Sequence, residues 1–206
     1  VKGRMTVKET ETGIVGLQDY YESVHDEWKS ILSWWMRYMP DETRGGFYGS
    51  VDQSNTPDLT APKGIVLNSR ICWAFSAAYM VNKEQAHLET ATRAFDYIRD
   101  HFFDEEYGGV YWSVDSNGAV LDSRKQIYGQ AFCLYGLVEY YKATGDQLAL
   151  HFAKDLYEYI ELYSLDKEKE GYVEAFTRDW KSIDDLRLSE KDNNEKKTMN
   201  THLHII

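Results

Sequence analysis

Arg70 interrupts an otherwise apolar run, Ile65 to Met80, and a guanidinium in that setting either pairs with one of the chain's many carboxylates or is kept for a ligand. Asn200 and His204 are four residues apart, which places them one turn from each other on one face of a helix. An imidazole near neutral pKa can both take and give a proton, and a fixed guanidinium can stabilise oxygens on which charge develops. The plainer alternative for this pair is a capping amide and a hydrogen-bonded core histidine. Tyr128 and Gln130, near the start of a second apolar run, carry polar tips suited to a ligand or to hydrogen bonds at the edge of a core. Among the acids, Glu174 is the best single candidate for lining a pocket, whereas Asp166 to Glu170 and Asp184 to Glu195 read as solvated, charge-rich faces.

Other chemistries are excluded by what these spacings lack. His202 and His204 cannot share a helix face and no HExxH pattern is present, so no metal site is expected. No GxSxG elbow, phosphate-cradling P-loop or dinucleotide fingerprint occurs, which excludes serine hydrolases, P-loop nucleotide-triphosphate enzymes and Rossmann dehydrogenases. A formal charge of -11 lacks the concentrated basic face that a nucleic-acid partner requires. No run approaches the ~18 to 20 apolar residues of a membrane span, so no membrane partner is expected and the expected compartment is cytoplasmic. Cys72 and Cys133 lie in apolar helical runs without metal-type spacing and read as reduced core thiols. Val1 to Arg4, ahead of Met5, read as a remnant of cloning.

The elements that must position the candidates follow from a repeat. Gly45-Gly46-Phe47-Tyr48, Gly108-Gly109-Val110-Tyr111 and Gly171-Tyr172-Val173-Glu174 open three related aromatic segments, spaced by about 63 residues. Each reads as a tight turn followed by a brief strand. Between them, apolar residues recur at helical spacing in Leu17–Tyr38, Ile65–Val81, Ala86–Phe102, Gln126–Ala143 and Asp146–Tyr163. Short links at Asn82-Lys83-Glu84 and around Gly145 make antiparallel hairpins. The runs beginning at Ile65 and Ile127 are apolar nearly all round, as an inner ring requires; those beginning at Ala86 and Gln147 have charged faces and suit an outer ring. The fold class is therefore all-α, an α/α toroid of helical hairpins with its pocket at the N-terminal ends of the inner helices. Residues 1–16 read as an extension and residues 17–206 as one toroidal domain. Lys196 to Ile206 reads as the opening of a third inner helix, capped from Asp192-Asn193-Asn194. Six such hairpins need on the order of 380 residues, so about half a toroid is expected here. The aromatic share of 15% exceeds the needs of the core and suits a wall on which sugars stack.

Several of these segments, in order and in register, resemble the cellobiose 2-epimerases of the N-acylglucosamine 2-epimerase superfamily. They are Lys63-Gly64 with Leu67 to Trp73, Tyr107 to Trp112, Tyr128 to Phe132, Tyr172 to Phe176 with Arg178 and Trp180, and Lys197 to Asn200 with Leu203-His204. The resemblance runs from about Leu17 to the end. It implies an (α/α)6 barrel that inverts C2 of the reducing-end hexose in β-1,4-linked disaccharides through a cis-enediolate, without cofactor or metal. By motif position Arg70 and His204 would be catalytic, Arg70 stabilising the enediolate and His204 assisting ring opening. Asn200, Tyr128 and Glu174 would bind substrate. The proton-transferring histidine pair of the family is expected beyond residue 206, so the 206-residue chain is expected to be inactive and to self-associate through uncovered core surface. The competing readings are an (α/α)6 glycoside hydrolase or lyase, disfavoured because no isolated carboxylate stands out on either inner helix, and a non-catalytic carbohydrate-binding remnant.

Overall fold

The computed structural model describes the backbone of residues 12–205 and the side chains of residues 16–205. The reading of Val1 to Arg4 therefore lies outside the described residues. Two compact units meet at Tyr38/Met39. The first is a single helix, α1 (Thr12–Tyr38). It begins five residues before Leu17, inside the expected extension, because lengthening an existing helix costs only propagation. Tyr21, His25 and Trp28 stack along it at four- and three-residue spacing, with ring centroids 5.8 and 5.4 Å apart.

The second unit is built from hairpins. Helices α2 (Ile65–Asn82) and α3 (Gln85–His101) form one pair, and α4 (Ile127–Thr144) and α5 (Gln147–Tyr159) the next. The first turn is closed by Lys83 (φ 60°) and the second by Gly145 (φ 75°), each donating its N–H back to the helix before it. Asp146 caps α5 by accepting from the N–H groups of Leu148 and Ala149. A π-helical turn, Ile160–Ser164, then carries the chain to the third aromatic segment. A seven-residue helix, α6 (Met199–Ile205), follows.

Packing separates the helices as their polarity demands. Outer α3 buries one stripe, Ala91, Ala94, Phe95 and Ile98, and outer α5 buries Ala149, Ala153 and Leu156. Inner α2 and α4 bury several faces and lie directly against each other, and α6 lies on the other side of α4. A methyl group at Gly136 would come within 2.7 Å of the Ser69 carbonyl, so this glycine sets the approach of α4 to α2. Cys72 and Cys133 are free and fully buried in that contact, and burial pushes the Cys72 thiol up to about 12.

Short strands link one repeat to the next. Before α2, β1 (Lys63–Gly64) pairs antiparallel with β2 (Ser113–Val114), which also pairs with β3 (Val120–Asp122). Before α4, β4 (Lys125–Gln126) pairs in the same way with β5 (Ala175–Phe176). Tight bridged turns recur at the repeat spacing: Pro40 with Phe47, Phe103 with Val110 after α3, and Leu165 with Tyr172 after α5 and its π-helical turn.

Residues 167–170 are exposed, as expected of a solvated face, but Asp166 at the head of that segment also builds the turn. Asp41, Asp104 and Asp166 each fold a turn back on their own carboxylate, accepting from Thr43 and Arg44, from Glu106 and Tyr107, and from Glu168 and Lys169. The second oxygen of each then binds a lysine just ahead of an inner helix. Lys63 reaches Asp41 at 2.9 Å, Lys125 reaches Asp104 at 2.9 Å and Lys197 reaches Asp166 at 2.8 Å. The struts tie the N-terminal ends of α4 and α6 to the turns that follow α3 and α5, and that of α2 to the turn at Asp41.

Candidate functional site at the inner-helix N-terminal ends

The struts bring the three inner helices into one register. Arg70, Phe132 and His204 each stand seven residues after their strut lysine, and Val66, Tyr128 and Asn200 each three residues after it. Positions four apart share a helix face, so the three helices present two tiers side by side. The upper tier holds Tyr128 and Asn200, and the lower tier holds Arg70, Phe132 and His204.

The lower tier is a continuous row. The Arg70 guanidinium carbon lies 4.6 Å from the Phe132 ring centroid, and the His204 ring lies 4.3 Å from the same centroid. Tyr128 meets both, edge-on to Phe132 at 4.8 Å and to His204 at 5.1 Å. Arg70 is exposed and, among the described residues, makes no hydrogen bond or ion pair. Of the two sequence-derived readings of Arg70, pairing with a carboxylate is therefore not what the structure contains. The His204 imidazole is held below its ordinary value, first by loss of water where its ring packs on its neighbours and then by the positive charge of Arg70.

Glu174 occupies a different place. Its side chain is buried, one oxygen accepts from the Thr198 N–H at 2.5 Å, and the other accepts from the Thr201 hydroxyl. Thr198 itself accepts from the Thr201 N–H. The start of α6 is therefore held by Thr198 and Glu174, not by Asp192 to Asn194 as expected; those residues lie several positions too early, and Asp192 instead closes a turn on Ser189.

Two cavities flank the row. One of about 260 Å³ is lined by Glu174, Arg187, Glu195, Thr198 and Asn200, and one of about 410 Å³ by Phe132, Leu134, Tyr135, Leu203 and His204. Asn200 and His204, one turn apart, thus open onto different spaces. A further cavity of about 720 Å³ lies against outer helix α3 beside Arg93, Asp96 and His101, and holds none of the candidates.

Supporting residues hold the loops against these helices. Gln130 accepts from the Val110 N–H at 2.8 Å and donates to the Val110 carbonyl at 2.7 Å, which settles it as a loop clamp. His202 does the equivalent one repeat later: its Nε2 accepts from the Tyr172 N–H at 2.9 Å, leaving Nδ1 to donate to the Thr198 carbonyl at 2.6 Å. Phe132, Gln130 and His202 all become legible once Lys63-Gly64-Ile65, Lys125-Gln126-Ile127 and Lys197-Thr198-Met199 are aligned on their lysines. The only carboxylate on α2 or α4, Glu139, pairs with Lys142 at 2.9 Å near the far end of α4. Some of the aromatic residues pack the core, as with Phe95 stacked on Tyr140, whereas others such as Tyr107, Tyr135 and Tyr163 are exposed. No cluster of three metal-binding side chains occurs among the described residues. No helix of the described residues is long and apolar enough to cross a membrane.

Known proteins share this arrangement. A family profile described as N-acylglucosamine 2-epimerase (GlcNAc 2-epimerase) matches residues 46–193. A cellobiose 2-epimerase of Bacteroides fragilis is 51% identical over 176 residues, covering 85% of this chain and 45% of that protein. A cellobiose 2-epimerase of Eubacterium cellulosolvens is 43% identical, covering 86% of this chain and 43% of that protein. The solved structure of cellobiose 2-epimerase from Spirochaeta thermophila superposes with a TM-score of 0.82 at 37% identity, over 92% of this chain and 48% of that one. The chain spans about half the length of the curated relatives it matches, and its helical hairpins are about half of an (α/α)6 fold. With a profile match across most of its length and the hairpin architecture of its relatives, the chain belongs to the N-acylglucosamine 2-epimerase family.

Proposed function

We propose that the protein to which this chain belongs is a sugar 2-epimerase that interconverts glucose and mannose at the reducing end of β-1,4-linked disaccharides. The observation that carries the proposal is an unpaired guanidinium, Arg70, set in a row with Phe132 and His204 at matching positions of three inner helices. An aldose opened to its aldehyde has an acidic C2–H bond. Removing that proton sends the electron pair toward the C1 oxygen and leaves a cis-enediolate. Arg70, which meets no carboxylate among the described residues, is suited to stabilise the two enediolate oxygens. Rotation about C2–C3 and return of a proton to the opposite face of C2 complete the inversion.

His204 and Asn200 would hold the sugar and assist ring opening from the two sides of the row, and Tyr128, edge-on to His204, would line the site. Glu174, with both oxygens engaged at the start of α6, serves the substrate by seating the helix that carries Asn200 and His204. Two-sided proton transfer needs two acid–base groups. Of the described imidazoles on the second unit, His87, His101 and His151 lie on outer helices and His202 is bound to Tyr172, so one imidazole faces Arg70. With His204 assigned to ring opening, both proton transfers are read as belonging to a histidine pair outside these 206 residues, and the chain on its own is expected to be inert and to self-associate. A glycosidase would need paired carboxylates on the inner helices, and Glu139, the only one on α2 or α4, is bound to Lys142.

Incubating cellobiose in D2O with the 206-residue chain, and separately with the product of its complete reading frame, tests this reading. Glucosyl-mannose carrying deuterium at C2, formed by the longer product and not by the shorter, is the expected result. Turnover by the 206-residue chain would overturn the assignment of the proton transfers to groups outside it, and absence of C2 exchange from both would overturn the epimerase reading.

A further inference from the structure

We propose that Phe132 is a positioning residue that holds the Arg70 guanidinium beside His204 without neutralising it; this rests on the epimerase reading of the site. Arg70 is exposed, and among the described residues its guanidinium meets no hydrogen-bond or ion-pair partner. A long side chain in that state samples many rotamers, yet a group that stabilises developing charge must be in place before the reaction. Among the described residues, the cation–π contact that restrains it is with the face of the Phe132 ring, 4.6 Å from the guanidinium carbon. Phe132 is itself buried, with Tyr128 edge-on at 4.8 Å and the His204 ring at 4.3 Å, so the platform does not move.

The chemistry of the platform is what matters. A carboxylate at position 132 would bind Arg70 more firmly, but it would occupy the N–H donors and cancel the charge that a sugar oxygen is to meet. A benzene ring takes neither: it attracts the cation through its π-face and leaves the five N–H donors at the edge of the guanidinium plane available. The same arrangement sets the charge felt by the imidazole. The titratable and charged groups facing His204 are Arg70 from α2 and Tyr128 from α4, while on α6 itself His202 is turned to Tyr172. The downward shift of His204, to which Arg70 contributes, fits a guanidinium held close by.

The test is an NMR titration of the His204 imidazole in the 15N-labelled chain, with the Arg70 Nε–H signal followed in parallel. The wild type and Phe132→Tyr, which keeps the ring, are expected to titrate below the ordinary histidine value. Phe132→Leu, which keeps apolar bulk without a π-face, is expected to move the titration upward, as does Arg70→Gln, with no further shift in the double variant. If Phe132→Leu fails to fold, Phe132→Met compared with Phe132→Tyr carries the same test. A ring-less variant that leaves His204 and the Arg70 Nε–H signal as in the wild type overturns the proposal, and so does an Arg70→Gln variant that leaves His204 unmoved. In the full-length protein, Phe132→Leu is expected to lower kcat for C2 exchange at least tenfold with KM within twofold. No exchange by the wild-type protein would refute the epimerase reading, and the titration would still decide the role of Phe132.

Discussion

Lys125 and Asp104 form an ion pair whose side chains are both fully buried, with Nζ 2.9 Å from Oδ2, and Arg178 closes on the same carboxylate at 2.9 Å. The equivalent pair one repeat later, Lys197 with Asp166, is 2.8 Å apart and about a quarter exposed. Breaking a buried pair strands a charge, whereas water re-solvates an exposed one. Lys125→Met is expected to destabilise by about 3 kcal/mol, the low end for a buried pair because Arg178 still faces Asp104. Lys197→Met is expected to cost under about 1 kcal/mol. Urea denaturation midpoints of the two variants check this, and equal losses would mean that burial does not rank the struts.

Acid should loosen the struts in a defined order. At Asp104 burial alone would raise the carboxyl, but the hydrogen bonds from Arg178 and Lys125 outweigh it and hold the group far below the usual carboxylate range. Asp166 is held at about 2, chiefly by Lys197. A carboxylate whose folded pKa is depressed contributes stability that is complete above its unfolded value, near ~4, and is lost as pH falls through the folded value. Tm is therefore expected to drop steeply below about pH 4 and to go on dropping past pH 2. Asp104→Asn, less stable at neutral pH, is expected to show a flatter Tm profile across that window; an unchanged slope would remove Asp104 from the account.

Glu170 occupies the turn position that Gly45 and Gly108 hold in the other repeats, and it shares their left-handed backbone at φ 58°. A side chain there is strained, while glycine adopts that region freely at some cost in unfolded-state entropy. Glu170→Gly is expected to stabilise by about 0.5 to 1 kcal/mol, since Lys197 bonds the residue's carbonyl and not its side chain. The reverse change at Gly108, to alanine, is expected to destabilise, because a Cβ there would fall 2.2 Å from the Tyr159 ring. Thermal melts of both variants give the signs directly.

His202 and Gln130 hold successive aromatic loops by accepting from the N–H groups of Tyr172 and Val110. His202→Ala leaves the Tyr172 N–H without its acceptor and is expected to cost about 1 to 2 kcal/mol. His202→Gln, borrowing the solution of the previous repeat, is expected to recover much of that loss. Hydrogen exchange of the Tyr172 amide reads the contact itself: fast in the alanine variant, slow in the other two.

How much of this was legible depends on the range of the interaction. Apolar spacing located both ends of α2, α3 and α4 and the start of α5 to within one residue, because the 3.6-residue period is local and an outer stripe such as Ala91, Ala94, Phe95 and Ile98 must recur to be buried; α5 itself stops at Tyr159, four residues before the expected Tyr163, where the π-helical turn takes over. The glycine-led turns were visible for the same reason, since a backbone at positive φ selects for glycine without reference to the rest of the chain. The start of α6 was misplaced because its cap comes from Glu174, far back along the chain, where no local rule looks.

Residue types and spacing alone therefore determined the hairpins, the inner and outer character of each helix, and the set of side chains from which a site could be built. Tertiary packing decided which of them meet. Arg70 and His204 are far apart in sequence and join only because strut lysines bring α2, α4 and α6 into register, and Phe132, an ordinary core phenylalanine by its surroundings in sequence, becomes the surface between them. Local composition encodes how a segment folds on itself, but the charge that meets a given ring is fixed by the long-range contacts that align one helix with the next.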